Sequence, residues 1–325
     1  MSLLIYWTNW KHHRRLAVAA ALAAAGVVGP ATSQTAFAQD AQGESAITDD
    51  GLATLKRGVI DFASGSRYEG ELQNGTMHGQ GTFSYANGDV YEGEFAEGKM
   101  NGDGRLTFAN GDSYEGQFTD GKRQGAGTLT FVNGDRYEGN FTDGQMHGQG
   151  SFRFTNGDSY TGTFDNGKRQ GQGEFTFASG DRYVGKFHDG EMDGSGTFTF
   201  ASGHVYKGNY AAGRWHGTGT LTLANDDRYE GAFADGRRHG QGVYTFASGN
   251  KYEGAFESDK MHGQGVFTYA NGDRYEGGFA NGLQNGPGVF HYADGSRFEG
   301  NFADGKRSGP GVLIYPNGDR IEGEF

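Results

Sequence analysis

The stretch YEGEFAEGKMNGDGRLTFANGDS, residues 91–113, decides the fold. Counting Tyr91 as position one, Tyr91, Gly93 and Phe95 alternate with Glu92, Glu94 and Ala96, the period of two expected of a half-buried strand. A second alternating run, Gly104, Leu106 and Phe108, follows after a turn signal at positions seven and eight, Glu97-Gly98. A further turn signal, Asn110-Gly111, closes the stretch at positions twenty and twenty-one. Glycine tolerates the positive φ that such turns require, so the unit reads as two antiparallel strands.

The unit recurs every 23 residues from about Gly58 to Phe325 without insertion or deletion. Its aromatic marker falls at Tyr68, Tyr91, Tyr114, Tyr137, Tyr160, Tyr183, Tyr206, Tyr229, Tyr252 and Tyr275, and Phe298 and Ile321 hold the phase. Self-similarity at such a period marks stacked units, none of which buries a core alone. A two-residue turn at positions seven and eight would set Tyr91 opposite Gly104 and Phe95 opposite Met100. An even loop at the other end would split the aromatics between faces, because a one-residue slip inverts a strand. A three-residue loop such as Ala86-Asn87-Gly88 keeps them together, with glycine last. The expected fold is all-β: an elongated, twisted, single-layer antiparallel sheet of about eleven tandem hairpins. One face carries Tyr, Phe and Gly, with rings leaning over bare glycine backbone. The other carries Glu, Thr and Ser.

Composition agrees with this. Glycine supplies 61 of 325 residues, proline only 4, and aromatics reach 14%. Several fixed glycines per unit would cost a helix roughly 1 kcal/mol each, which excludes helical arrays. Cysteine is absent, so disulfides, thiolate metal sites and thiol catalysis are excluded.

Residues 1–38 read as an export leader: Lys11, Arg14 and Arg15, an alanine-rich apolar stretch from Leu16 to Val28, then Ala36-Phe37-Ala38 as the cleavage site. That stretch is too short for a bilayer span, which needs about 20 residues. Cleavage after Ala38 makes Gln39 the new N-terminus and the protein periplasmic or secreted, by the general or the twin-arginine route. Losing three basic residues and no acid takes the net charge from −12 to −15. Such a balance argues against nucleic acid as a partner. Residues 39–57 form a polar lead-in, with a helical turn expected at Leu52–Lys56, and 58–325 form the array.

With these residues in view, Y-E-G-E-F-A-E-G-K-M-N-G-D-G-R-L-T-F-A-N-G-D resembles the MORN repeat (membrane occupation and recognition nexus), over residues 58 to 325. The resemblance implies an extended antiparallel sheet used in scaffolding, oligomerisation and, in some members, membrane association. Departures are Asp226 and Asp259 at turn glycines, and Phe298 and Ile321 at the tyrosine position.

Several chemical signals admit a plainer reading. Gly-x-Gly pairs such as Gly79 and Gly81 lack the following helix of a phosphate loop, so no nucleotide is expected. His78, His147, His216, His239 and His262 share position eleven, about 9.6 Å apart on alternate strands, too far to converge on one zinc ion. Aspartate at position twenty-two, as at Asp89, Asp135 and Asp158, suggests a calcium ladder but fits turn chemistry better. No cofactor, metal or enzyme activity is expected.

Binding is expected instead. Candidate ligand contacts are the aromatics Tyr91, Phe95, Tyr114, Phe118, Tyr137, Phe141 and Trp215. Positions nine and ten add a basic turn edge, with Lys122, Arg123, Lys168, Arg169, Arg237 and Arg238 the candidates. That edge reads either as protection against aggregation or as a strip for phosphate head groups or envelope polymer. Late in the array, position fifteen changes from Thr or Ser to Val266, Val289 and Val312, with Ile314 beside it. Together with Phe325 on the terminal strand edge, these suggest self-association. The expected role is a non-enzymatic envelope scaffold for a protein partner or a second copy, with anionic lipid or cell-wall polysaccharide as the alternative.

Overall fold

A computed structural model describes residues 55–325. The leader, the Ala38 cleavage site and residues 52–54 of the expected helical turn lie outside the described residues. Lys56 already belongs to a strand. The described residues form 24 strands and no helix. They divide into two units, one ending at Ala178 and one running from Ser179 to Phe325. Within each unit, every strand pairs antiparallel with its sequence neighbours, a plain meander.

Each repeat supplies a seven-residue strand and a nine-residue strand, Val90–Ala96 and Lys99–Thr107 in the quoted stretch. Glu97 and Gly98, at φ 51° and 81°, form the expected two-residue turn with positive φ at both positions. At the other end Phe108 and Asp112 close a three-residue loop: the Phe108 N–H donates to Asp112 O and the Gly111 N–H to Phe108 O, both at 2.9 Å. Gly111 takes φ 94°, the left-handed position expected of it.

The register within the hairpin differs from expectation. Phe95 faces Met100 as foreseen, but Tyr91 faces Leu106 and Gly93 faces Gly104, with a bulge between Gly93 and Phe95. Asn101, Gly102 and Asp103 there oppose Glu94 alone. Gly102 makes this possible at φ 81°, where a side chain would be strained. Two extra residues preserve side-chain parity, so the aromatics still share one face. The first glycine of the Gly-x-Gly pair was the sequence signal for this bulge.

The tyrosine ring lies across the Gly–Gly pair. A methyl group on Gly104 would sit 2.5 Å from Tyr91 Cε2. The Tyr91 hydroxyl donates to Glu94 O at 2.9 Å, and the same bond recurs at Tyr114, Tyr137 and Tyr160. Tyr91 meets Phe95 edge-on at 5.1 Å and Phe118 of the next repeat at 4.9 Å. The column of alternating Tyr and Phe rings is therefore the centre of the core, flanked by a second row that includes Phe131, Phe152 and Phe175. Edge-to-face pairs like those of Tyr91 add about 0.5–1.5 kcal/mol each beyond burial. Repeats are also stapled at their loops: Asp89 Oδ1 accepts the Ala109 N–H at 2.8 Å while Asn87 Nδ2 donates to Asp89 Oδ2 at 2.9 Å.

Candidate binding surfaces

Burial corrects the view of the aromatic face as a presented surface. Tyr91, Tyr114 and Tyr137 are 0% exposed, and Phe95, Phe118, Phe141 and Trp215 are all buried. Their rings pack on one another and on glycine backbone, because the sheet has no second layer to supply a core. Burial pushes the phenols upward, to about 12 at Tyr114 and Tyr229.

Positions nine and ten do not form one cationic strip, because consecutive residues in a strand point to opposite faces. Position nine points outward and meets the acid of the next turn: Lys99 with Asp120 at 2.9 Å, Lys122 with Asp143 at 2.7 Å, Arg214 with Asp235 at 2.8 Å. Lys168 and Arg237 occupy the same position. Position ten turns onto the aromatic face. Arg123 is buried, with its guanidinium 5.5 Å from the Tyr114 ring and 5.4 Å from Phe141, and it donates to Gly144 O. Desolvation lowers its pKa. Arg169 covers Tyr160 and Phe175, and Arg238 covers Tyr229, Tyr244 and Phe256. These arginines alternate with Met77, Met100, Met146 and Met192 as flexible lids on the ring column.

Two breaks in the period find their reason here. Trp215 fills position ten and stacks on Tyr206 at 4.3 Å and 10°. Asp259 replaces a turn glycine at φ 70°, and its carboxylate accepts the Arg238 N–H at 3.0 Å and Nε–H at 3.3 Å.

The aspartates at position twenty-two hold backbone. Asp112, Asp135 and Asp158 are buried and accept N–H groups of Val132, Thr155 and Ala178, each at 2.8 Å. The histidines at position eleven stay spread along the turn edge; His147 lies 3.3 Å from Asp165 and His262 3.5 Å from Glu257. Among the described residues no group of three or more ligand-type side chains could hold a metal ion.

The opposite face is built from rows running across the strands. Positions two and fifteen are cross-strand partners throughout, so Glu230, Val243, Glu253, Val266 and Glu276 follow one another in successive strands. Many of the glutamates at position two are paired with a cation two residues earlier, Lys251 with Glu253 at 2.9 Å and Arg297 with Glu299 at 2.7 Å. Glu92 and Glu115 instead follow Val90 and Ser113, and Thr161, Val184 and Lys207 interrupt the row. Such exposed pairs contribute about 0–1 kcal/mol, so the row is a patterned surface more than a brace. In the first unit this face forms an open groove of about 1760 Å³ lined by Arg57, Glu69, Glu92, Asp103, Arg105 and Thr128, among others. In the second it forms a groove of about 630 Å³ whose floor includes Val243 and Val266. Val266, Val289, Val312 and Ile314 are half-buried on this face. Phe325 is not with them: it lies on the aromatic side, 4.8 Å from Phe298 and beneath Arg307. The expected self-association patch is therefore divided between two faces.

A meander of like hairpins, with its core built on one face from its own aromatic rings, defines a β-repeat protein. The family model of the MORN repeat matches eleven consecutive segments, from 68–90 to 298–320, and the chain belongs to that family. A search of curated protein sequences finds no match. Among solved structures, the SAS-4 TCP domain of Drosophila melanogaster, in complex with a proline-rich motif of Ana2, is 14% identical at a TM-score of 0.31, covering 58% of this chain and 98% of that one. The TCP10 domain of Danio rerio CPAP, in complex with a STIL peptide, is 14% identical at 0.23, covering 83% and 100%. Virginiamycin B lyase of Staphylococcus aureus is 8% identical at 0.13, covering 85% and 86%. The family assignment rests on the repeat model alone.

Proposed function

We propose that the chain is an exported, non-enzymatic scaffold of the cell envelope that holds a protein partner along its grooved polar face. One observation carries this reading. The aromatic face is consumed by its own core, whereas the opposite face exposes a row of glutamates, many with a flanking cation, beside open grooves in both units. A surface repeating at fixed spacing suits an extended partner contacted at many points. Export rests on the leader sequence, with cleavage after Ala38. The lipid and polysaccharide alternative depends on the basic edge and the rings, and both are engaged internally at the residues described above.

The test places a photo-cross-linking amino acid at Thr128 or Val266 in the grooves, or at Lys122 on the turn edge, in cells making the full chain. Adducts with protein at the two groove positions are expected, and the processed protein should begin at Gln39. Adducts only with lipid or glycan, or only at Lys122, would overturn the partner reading. An envelope form beginning at Met1 would overturn processing.

A further inference from the structure

Position four changes character in three consecutive repeats. Elsewhere it is glutamate, glutamine, asparagine, threonine or lysine, but here it is Ala232, Ala255 and Gly278. The groove of about 630 Å³ in the second unit crosses these same strands. One of its walls is the row Glu230, Val243, Glu253, Val266 and Glu276. The other side alternates small and long residues, with Gln241 opposite Ala255 and Gln264 opposite Gly278. Three hollows therefore open at Ala232, Ala255 and Gly278, each two residues along its strand from a glutamate of the facing wall. Gln241 and Gln264 stand exposed between the hollows, and among the described residues their side-chain amides have no hydrogen-bond partner.

The spacing selects the shape of an occupant. Equivalent points two strands apart lie about 9.6 Å from each other. A chain in the polyproline II conformation has three residues per turn and a rise of about 3.1 Å, so each of its faces recurs every ~9.3 Å. An extended strand returns to the same face after about 6.8 Å, out of step with the hollows. An α-helix, about 10 Å across, is too wide for walls two residues apart on one strand.

The chemistry agrees. Polyproline II has no internal hydrogen bonds and proline has no N–H, so its backbone offers carbonyls that call for donors. The amides of Gln241 and Gln264 supply them. Among the described residues, the titratable groups lining the groove are all carboxylates, Glu230, Glu253 and Glu276. Arg228, Lys251 and Arg274 reach these carboxylates from the side away from the hollows, and a carboxylate has room for a second donor. Taking this face as the partner's seat, as proposed above, we infer that the groove holds a proline-rich segment of the partner, in polyproline II conformation, with a lysine or arginine at every third residue. One face of the segment sinks into the three hollows and its basic face meets the three glutamates. The four prolines of the present chain, Pro30, Pro287, Pro310 and Pro316, lie too far apart to supply such a segment.

The probe is a labelled peptide of four Pro-Pro-Lys repeats, titrated with the full chain and read by fluorescence anisotropy. It should bind, and a peptide of equal composition with its lysines grouped at one end should bind more weakly. Ala255→Gln fills the middle hollow with the residue that Gln117 already places at this position, and should weaken binding about tenfold with the fold kept. Ala232→Asn, matching Asn209, should act likewise, whereas Gln117→Ala in the first unit should change nothing. Glu253→Gln should weaken binding and flatten its salt dependence. No binding of the peptide, equal binding of the grouped-lysine peptide, or unchanged affinity in both hollow-filling variants would overturn the inference. Tighter binding of an alternating Val-Lys peptide, an extended strand, would do the same. Protein adducts at Val266 without affinity for the probe would remove the proline-rich occupant and leave the partner reading standing. Absence of protein adducts at both Thr128 and Val266 would remove the partner reading itself.

Discussion

Asp135 illustrates how much one side chain does in this array. Its carboxylate is buried, accepts the Thr155 N–H and hydroxyl from the next repeat, and holds Asn133 in its own loop. Asp135→Ala leaves a buried N–H without an acceptor and should cost about 1–3 kcal/mol. Asp135→Asn should cost much less, because Asn250 already accepts the Ala270 N–H at 2.9 Å at the equivalent position. Urea denaturation of the two variants checks this, and equal losses would show that charge, not the acceptor atom, matters. The sequence made the aspartate row visible but assigned it to turns. Its reach into the following repeat depends on how loops stack.

At the scale of the strand, the tyrosine column should make the fold alkali-sensitive. The folded-state pKa of Tyr114, Tyr160, Tyr229, Tyr252 and Tyr275 is pushed up to about 12, first by desolvation, from the ordinary 10.0. A raised pKa means that the folded state keeps its protons longer than the unfolded state does. The contribution is complete below pH 10 and is lost as pH rises from about 10 to 12. The urea midpoint should therefore be flat up to about pH 10 and fall steeply above it. Phenolate absorbance should appear together with loss of strand circular dichroism. Phenolate forming well before unfolding would show that the rings are open to water.

At the scale of the molecule, each repeat contacts its neighbours through identical registers, so whole repeats are interchangeable parts. Removing residues 137–159, one complete unit, should leave a folded sheet that still unfolds cooperatively, with its midpoint lowered modestly. Removing only residues 137–148 instead takes the first strand and turn of that unit, leaves the rest of Gln145–Arg153 without its hairpin partner and should disrupt the sheet at that junction. Circular dichroism and urea melts of the two deletions distinguish these outcomes. Equal damage from both would mean that the units are not equivalent.

The 23-residue period by itself determined strand identity, the two turn lengths and the shared aromatic face, because these follow from local φ preferences and from side-chain parity. Gly98 and Gly111 announce their turns whatever surrounds them. Tertiary structure alone decided which side of the sheet is available. A single-layer sheet must make its core from its own aromatics, so Tyr91 and Phe95, which read as binding residues, are buried. Arg123 is drawn inward to cap them, and Lys99 and Lys122 are taken up by the acid of the next turn. The Gly102 bulge was also settled there, since a shift of two residues leaves parity unchanged and therefore no trace in the alternation. What remains open, the glutamate row with its flanking cations and the half-buried late valines, becomes a surface only when successive strands bring residues 10 to 13 apart in sequence into one row.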